Sequence, residues 1–417
     1  MNEVEMLAQL IDEFRDKLQR EAIIPRTISF PAADNKIKVA VGMRRTGKTS
    51  FMFQTIASLL EKKISITQIL YLNFEDDRLM PLTRERCAKL IDAFYTLYPE
   101  NHDRPCYLFL DEIQMVPDWA IIVRRFYDSK NTQIYLSGSS AKLLSKEIHT
   151  SLRGRSLATE VWPLSFHEFL TAKQVNINAE LFSKKTQDQF KKYFHDYLMC
   201  GGFPEVVNFD TETRIKTLQE YIDVVIYRDI VERYEVRHVA LLRYMIFFVI
   251  QNSGAPFSIN KFYNDVKTQG YKISKDVLYE YMQYIEDAYL AFSVGLYDRS
   301  VRKTQTNPKK VYAIDTGLIN AMTLNAQFDF GKLFETIIFI ELKRQSCKIN
   351  YYLTEERFEV DFVAQSLLGQ QKLIQVCWDV SDEKTLAREQ RALDAAKKEL
   401  NIDGEIITLE SYLKKGV

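Results

Sequence analysis

The residues of this 417-residue chain best suited to move a phosphoryl group are a lysine, two hydroxyls and a pair of adjacent carboxylates. Lys48 and Thr49 close the run Gly42-Met43-Arg44-Arg45-Thr46-Gly47-Lys48-Thr49-Ser50, which fits the pattern G-x-x-x-x-G-K-[ST] at every defined position. Gly42 and Gly47 permit backbone conformations that a Cβ would forbid, so successive N–H groups can turn inward around a polyphosphate. Lys48 would reach the β- and γ-phosphates, and the Thr49 hydroxyl would ligate Mg²⁺. Asp111 would hold the hydration shell of that ion, and Glu112 would polarise the attacking water as a general base. Ser137, with Ser139 as second choice, could sit beside the γ-phosphate and the water. For Ser139 and Ser140, capping a helix from residue 141 is the rival role. Arg155, with Arg153 behind it, is the candidate guanidinium for charge developing on the γ-phosphate, in cis or from a neighbouring subunit. A surface arginine serving only solubility is the competing reading.

These side chains need strands and helices to hold them. Residues 36–41 read as a buried strand, and residues 48–60 have the length and apolar spacing of a helix. That helix adds its N-terminal partial positive charge to the phosphate position. Residues 106–112 place four apolar positions before two acids, as in a central strand delivering carboxylates to its C-terminal edge. Residues 131–140 form a further strand ending in hydroxyls. Residues 68–76 form another, whose Asn73, Glu75 and Asp76 could lie near the nucleotide or simply cap a loop. The fold class is therefore α/β, with a parallel-sheet nucleotide-binding core.

The composition is ordinary for a globular protein, with 46% hydrophobic and 27% charged residues. Lysine plus arginine, 56, balances aspartate plus glutamate, 56, so net charge does not select a nucleic-acid partner. The five cysteines include no C-x-x-C pair and read as reduced thiols of a cytoplasmic protein. Residues 1–20 are charged and amphipathic, unlike a secretory signal, and the most apolar stretch, 244–250, is far too short to span a bilayer. A soluble, intracellular protein without a membrane partner is expected.

The motifs continue in a recognisable order: Leu108-Phe109-Leu110-Asp111-Glu112-Ile113-Gln114, Leu136-Ser137-Gly138-Ser139-Ser140, Leu152-Arg153-Gly154-Arg155 and Pro163-Leu164-Ser165-Phe166-His167-Glu168-Phe169. Gly201-Gly202-Phe203-Pro204-Glu205, Asp229-Ile230-Val231-Glu232-Arg233-Tyr234, Tyr312-Ala313-Ile314-Asp315-Thr316-Gly317-Leu318 and Arg388-Glu389 follow. Nearly the whole chain resembles the bacterial and archaeal AAA-type ATPases that carry a C-terminal domain of unknown function. The resemblance implies ATP rather than GTP; Mg²⁺ is the cofactor that Thr49 and Asp111 call for, and a homo-oligomer is the arrangement in which Arg155 would act in trans.

The expected organisation is an N-terminal helix (1–25), a phosphate-loop ATPase domain (26–205), a helical or winged-helix domain (206–300) and a restriction-endonuclease-like domain (301–417). In the winged-helix region Lys272, Lys275, Tyr279 and Tyr281 could face a duplex, while Glu280, Glu286 and Asp287 oppose phosphate contact. In the last domain Glu335 and Asp361 match the first two acids of a nuclease site. Gln375 and Cys377 stand where an acid and a lysine belong, so its chemistry is expected to be lost; Glu359 is the residue that could rescue a ligand set. A DNA or protein partner would dock through residues 240–417. The leading expectation is an ATPase acting as a switch or motor. The alternatives are a nucleotide-regulated DNA-binding protein and, behind it, an active nuclease.

Overall fold

Strands buried on both faces need near-continuous apolar sequence, and the chain supplies it. The computed structural model describes residues 3–138, 152, 154–175, 184–298, 300, 304, 307–323, 328–379 and 383–415. It divides into two units, Met1–Val161 and Trp162–Val417.

The first unit runs α1 (Glu3–Arg20), β1 (Ile37–Val41), α2 (Lys48–Glu61), β2 (Ile69–Asn73), α3 (Arg84–Leu97), β3 (Cys106–Asp111), α4 (Trp119–Ser129), β4 (Thr132–Gly138) and β5 (Ser156–Glu160). Its five strands are parallel in the order β2-β3-β4-β1-β5. Every residue of β1 and β3 is buried. The amphipathic α1 turns Met6, Leu7, Ile11 and Phe14 inward, and Phe14 stacks on Tyr71 of β2 with ring centroids 4.9 Å apart. The N-terminal helix is thus packed on the sheet of this unit.

The second unit begins with α5 (Phe166–Ala172), α6 (Lys184–Cys200) and α7 (Thr211–Val224), which continues into a π-helical turn, Val225–Val231. Then come α8 (Val239–Gln251), β6 (Ala255–Phe257), α9 (Ile259–Thr268), α10 (Lys275–Asp287), β7 (Ala291–Val294) and β8 (Lys309–Ala313). Their three strands form an antiparallel sheet ordered β6-β8-β7. The strand expected over 289–297 is shorter because Tyr289 sits at φ 59°, outside the extended region. The unit closes with α11 (Thr316–Met322), α12 (Phe330–Arg344), β9 (Lys348–Leu353), β10 (Glu359–Gln365), β11 (Gln371–Cys377), α13 (Glu383–Leu400), β12 (Gly404–Thr408) and α14 (Leu409–Lys415). These four strands make a mixed sheet ordered β12-β11-β10-β9.

Two glycine-bearing motifs far apart in sequence meet in this unit. Asp315 caps α11, accepting from the N–H groups of Gly317 (2.8 Å) and Leu318 (3.3 Å), and its other oxygen accepts from Gly202 N (2.7 Å). Burial pushes the Asp315 carboxyl up to about 6, while the three N–H groups pull it back. A Cβ at Gly317 would lie 2.2 Å from the Cys200 carbonyl oxygen, a backbone atom that cannot swing aside. Gly317→Ala is therefore expected to cost about 3 kcal/mol, the upper end of overpacking penalties. Denaturant titration checks this; an unchanged midpoint would show that the helices slide apart freely.

Candidate nucleotide site

The strand order decides which side chains meet at the C-terminal edge of the first sheet. β4 lies between β1 and β3, pairing Ala40 with Ser137 on one side and Leu110 with Leu136 on the other. Ser137 is thereby set beside Asp111 and donates its hydroxyl proton to Asp111 Oδ1. Asp111 Oδ2 accepts from Thr49 Oγ1 at 2.7 Å and from the Tyr71 hydroxyl at 2.8 Å. The Ser137 oxygen also accepts the Glu112 backbone N–H at 3.0 Å. Glu112 itself stands at φ 53°, a left-handed conformation that costs a non-glycine residue about 1–3 kcal/mol and is concentrated at functional positions. Gln114 donates its side-chain amide to Glu112 Oε2.

The loop from Gly42 to Gly47 is tightly held. A Cβ at Gly42 would meet the Val161 carbonyl oxygen at 2.3 Å, so the first loop position admits only glycine. Met43 is buried, Thr46 donates its hydroxyl to the Met43 carbonyl at 3.0 Å, and Arg45 and Gly47 both adopt positive φ. Lys48 donates its ammonium to the carbonyls of Gly42 (3.2 Å) and Met43 (3.0 Å), keeping it inside the loop. Arg44 pairs with Glu75 at 3.1 Å, and Ser50 donates to Glu21 at 3.4 Å. The buried Arg26 donates to the Thr46 carbonyl at 2.9 Å, a second cation bracing the loop from outside the motif.

Burial pushes the Glu112 carboxyl above the ordinary glutamate range; Lys48 and the Gln114 bond pull it down, while Asp111 and Glu75 push it further up. A carboxylate of raised proton affinity at a strand edge suits a group that must take a proton from water. A hydroxyl and a carboxylate oxygen 2.7 Å apart, at Thr49 and Asp111, are the hard oxygen donors that Mg²⁺ takes.

The arrangement brings together most of the residues expected from sequence. Arg155 is the exception. β5 runs parallel to β1, with Ile37 beside Ser156 and Val41 beside Glu160, so Arg155 sits where β1 begins and the phosphate loop sits where it ends. The strand between them spans roughly 16 Å at about 3.3 Å per residue. The Arg155 guanidinium instead pairs with Asp128 at 3.2 Å. This register sets Arg155 away from the phosphate loop of its own chain, which leaves the role toward a neighbouring subunit and the reading as a surface arginine. Asn73 and Asp76 are turn-formers, accepting from the N–H groups of Glu75 and Arg78, whereas Glu75 alone reaches the loop. Ser139, Ser140 and Arg153 lie outside the described residues. Tyr71, Gln114 and Arg26 were not anticipated. A tyrosine in a buried strand and a buried arginine just before β1 are the signals that could have exposed two of them.

In the second unit the acids also converge. Glu335 (α12), Glu359 and Asp361 (β10) all lie within ion-pair distance of Lys310 on β8. Gln375 accepts from Asp361 N at 3.2 Å and donates to Glu389, while Cys377 donates to the Asp379 carbonyl at 3.4 Å. On α10, Tyr281 is buried and faces no partner surface, contrary to expectation, because helical spacing turns it inward with Leu278 and Ile285. Asp287 is likewise buried, accepting from Tyr234 and Gln283, and Glu286 accepts from Ser293. Lys275 and Tyr279 do stay exposed.

A parallel sheet in the order β2-β3-β4-β1-β5, with a phosphate loop after β1, defines an AAA-type P-loop ATPase-like domain. A family described as AAA domain matches residues 34–170, and a domain of unknown function, DUF8612, matches residues 191–329. The uncharacterized protein MJ1544 of Methanocaldococcus jannaschii is 36% identical over 404 residues, covering 95% of this chain and 87% of that protein. An uncharacterized protein of Haemophilus influenzae is 31% identical over 352 residues, covering 84% of each. Among solved structures, the Walker-type ATPase PABY2304 of Pyrococcus abyssi aligns with a TM-score of 0.45 at 14% identity, over 75% of this chain and 94% of that one. The chain belongs to one family with MJ1544, a family of AAA domains followed by a domain of unknown function. Among the described residues no helix is long and apolar enough to cross a membrane.

Proposed function

We propose that the protein is an Mg²⁺-dependent ATPase whose nucleotide cycle acts as a switch or motor for the domains after residue 205. The observation that carries this reading is the chain of contacts Thr49–Asp111–Ser137–Glu112 directly behind the phosphate loop. Gly42 to Thr46 and Lys48 would hold the phosphates; Thr49 and Asp111 would hold Mg²⁺, which contributes charge neutralisation at the transferred phosphoryl group. Ser137 is a positioning residue: its hydroxyl holds the Asp111 carboxylate and the Glu112 backbone together. Glu112 takes the proton from the attacking water. Arg155 would complete the site of a neighbouring copy.

A pH profile of ATP turnover tests the base. Only ionised Glu112 can accept a proton, so activity falls as pH drops through its pKa. Because that pKa is raised, the acid limb of kcat/KM should lie above about 4.3, the ordinary glutamate value. An acid limb at or below the ordinary value would remove Glu112 as the base.

A second reading is a nucleotide-regulated DNA-binding protein. The order α8-β6-α9-α10-β7-β8 with strands arranged β6-β8-β7 supports reading this region as a winged helix, in which α10 would be the reading helix. Exposed Lys275 and Tyr279 favour it; Asp276 and Glu280 on the same helix oppose it. On this reading the last domain would be a nuclease-like one, with Glu335 on a helix and Asp361 on a strand, and non-cutting because Gln375 and Cys377 supply neither charge nor an ammonium. Salt-dependent binding to duplex DNA, lost when Lys275 and Tyr279 are replaced by alanine, would favour this second reading.

A further inference from the structure

The acids of the last domain already have a cation, and it belongs to the protein. Lys310 Nζ lies 2.6 Å from Glu335 Oε1, 2.9 Å from Glu359 Oε1 and 3.4 Å from Asp361 Oδ1. An ammonium has three protons to donate, and three carboxylate oxygens surround it. Its side chain is 2% exposed, so water screens its contacts with the buried ends of Glu335 and Asp361 little, and that with the 40% exposed Glu359 more. The Tyr312 hydroxyl donates to the same Glu335 oxygen at 2.6 Å, and Asp361 Oδ2 accepts from Val376 N at 2.9 Å. Gln375 is engaged as well, tying Asp361 N to Glu389. Among the described residues no three acidic, histidine or cysteine side chains are grouped so as to hold a metal ion.

We infer that the Lys310 ammonium is the resident cation of this carboxylate cluster, standing where a divalent ion would have to sit, so that the cleft works without metal. Lys310 lies on β8, the middle strand of the three-stranded sheet, whereas the acids come from α12 and from β10 within the four-stranded sheet. The same contact therefore fastens these two sheets together. The cleft beyond the cluster, about 450 Å³, is lined by Lys332, Arg357 and Arg388 as well as by the acids.

The charge balance states the consequence. Glu335, Glu359 and Asp361 are three acids against one buried positive charge, and burial together with the Glu335 charge raises the Asp361 carboxyl well above the usual aspartate range. Burial opposes an ammonium, yet the three carboxylates outweigh it and hold the Lys310 proton tightly. Without Lys310, three carboxylates would face one another unpaired, a state that either unfolds the cleft or recruits a cation. The Glu335 and Glu359 oxygens, 2.6 and 2.9 Å from the nitrogen, need contract only slightly to reach the 2.3–2.6 Å of Ca²⁺, while the Asp361 oxygen at 3.4 Å must close in by about 1 Å.

The test is thermal unfolding of the full-length, nucleotide-free protein with and without millimolar Ca²⁺ or Mn²⁺. Wild type should melt at the same temperature with either ion. Lys310→Met should melt lower, and the ions should raise it again; that rise should vanish in Lys310→Met/Asp361→Asn. If Lys310→Met does not fold, Lys310→Met/Glu335→Gln/Asp361→Asn should, since it removes charge from both sides. An ion-dependent rise in wild type that is lost in Asp361→Asn would overturn the inference by making a metal the native occupant. So would Lys310→Met melting like wild type, a folded Lys310→Met indifferent to both ions, or failure of the triple variant to fold.

Discussion

Glu112→Gln should bind MgATP about as tightly as wild type and hydrolyse it about 10²–10⁴-fold more slowly, the contribution of a positioned general base. The substitution keeps the shape of the side chain and removes only its capacity to take a proton. Binding is preserved because the phosphates are held by the loop and Lys48, and the Glu112 backbone N–H bond to Ser137 does not involve the carboxyl. The geometry also argues that no neighbour takes over. Asp111 is engaged by Thr49, Tyr71 and Ser137 on its two oxygens, and Glu75 is paired with Arg44. Single-turnover hydrolysis alongside equilibrium nucleotide binding separates the two effects. Near-normal turnover in Glu112→Gln would mean that another group orients the water, whereas loss of binding would mean that Glu112 shapes the loop.

The parts of the site that were legible in sequence are those made by neighbours in the chain. The phosphate loop is continuous, so its glycines, Lys48 and Thr49 announce their roles by spacing alone. Asp111 and Glu112 announce theirs by ending an apolar strand. The contacts between them depend on strand order, which local pattern does not encode. Only with β4 between β1 and β3 does Ser137 become the link between Asp111 and Glu112, and only with β2 beside β3 does Tyr71 reach Asp111. Arg155 illustrates the opposite failure: its motif lies near the site in sequence order, but a parallel register carries it to the far edge.

The second unit repeats this lesson. The absence of an acid at Gln375 and of a lysine at Cys377 is visible in the chain. The lysine that does meet the acids is not, because it lies 25 residues before Glu335 and 51 before Asp361, on a strand of another sheet. Its only trace is the lysine pair Lys309-Lys310 that opens the apolar run Val311-Tyr312-Ala313-Ile314. Gly201, Gly202 and Gly317 stand out in the chain only as parts of motifs, and their meaning is a close approach of backbones that only the fold creates.

Whether the loop binds nucleotide is the claim on which the rest depends, and calorimetric titration of wild type and Lys48→Ala with MgATP tests it most directly. The ammonium is buried within the loop and would make charge-assisted bonds to two phosphates, each worth about 1.5–3 kcal/mol. Wild type should bind at one site per chain. Lys48→Ala should bind about 100-fold more weakly or not at all, and lose turnover with it, while melting as a folded protein. Unchanged affinity and unchanged hydrolysis in a folded Lys48→Ala protein would contradict the assignment of the loop and the ATPase reading built on it.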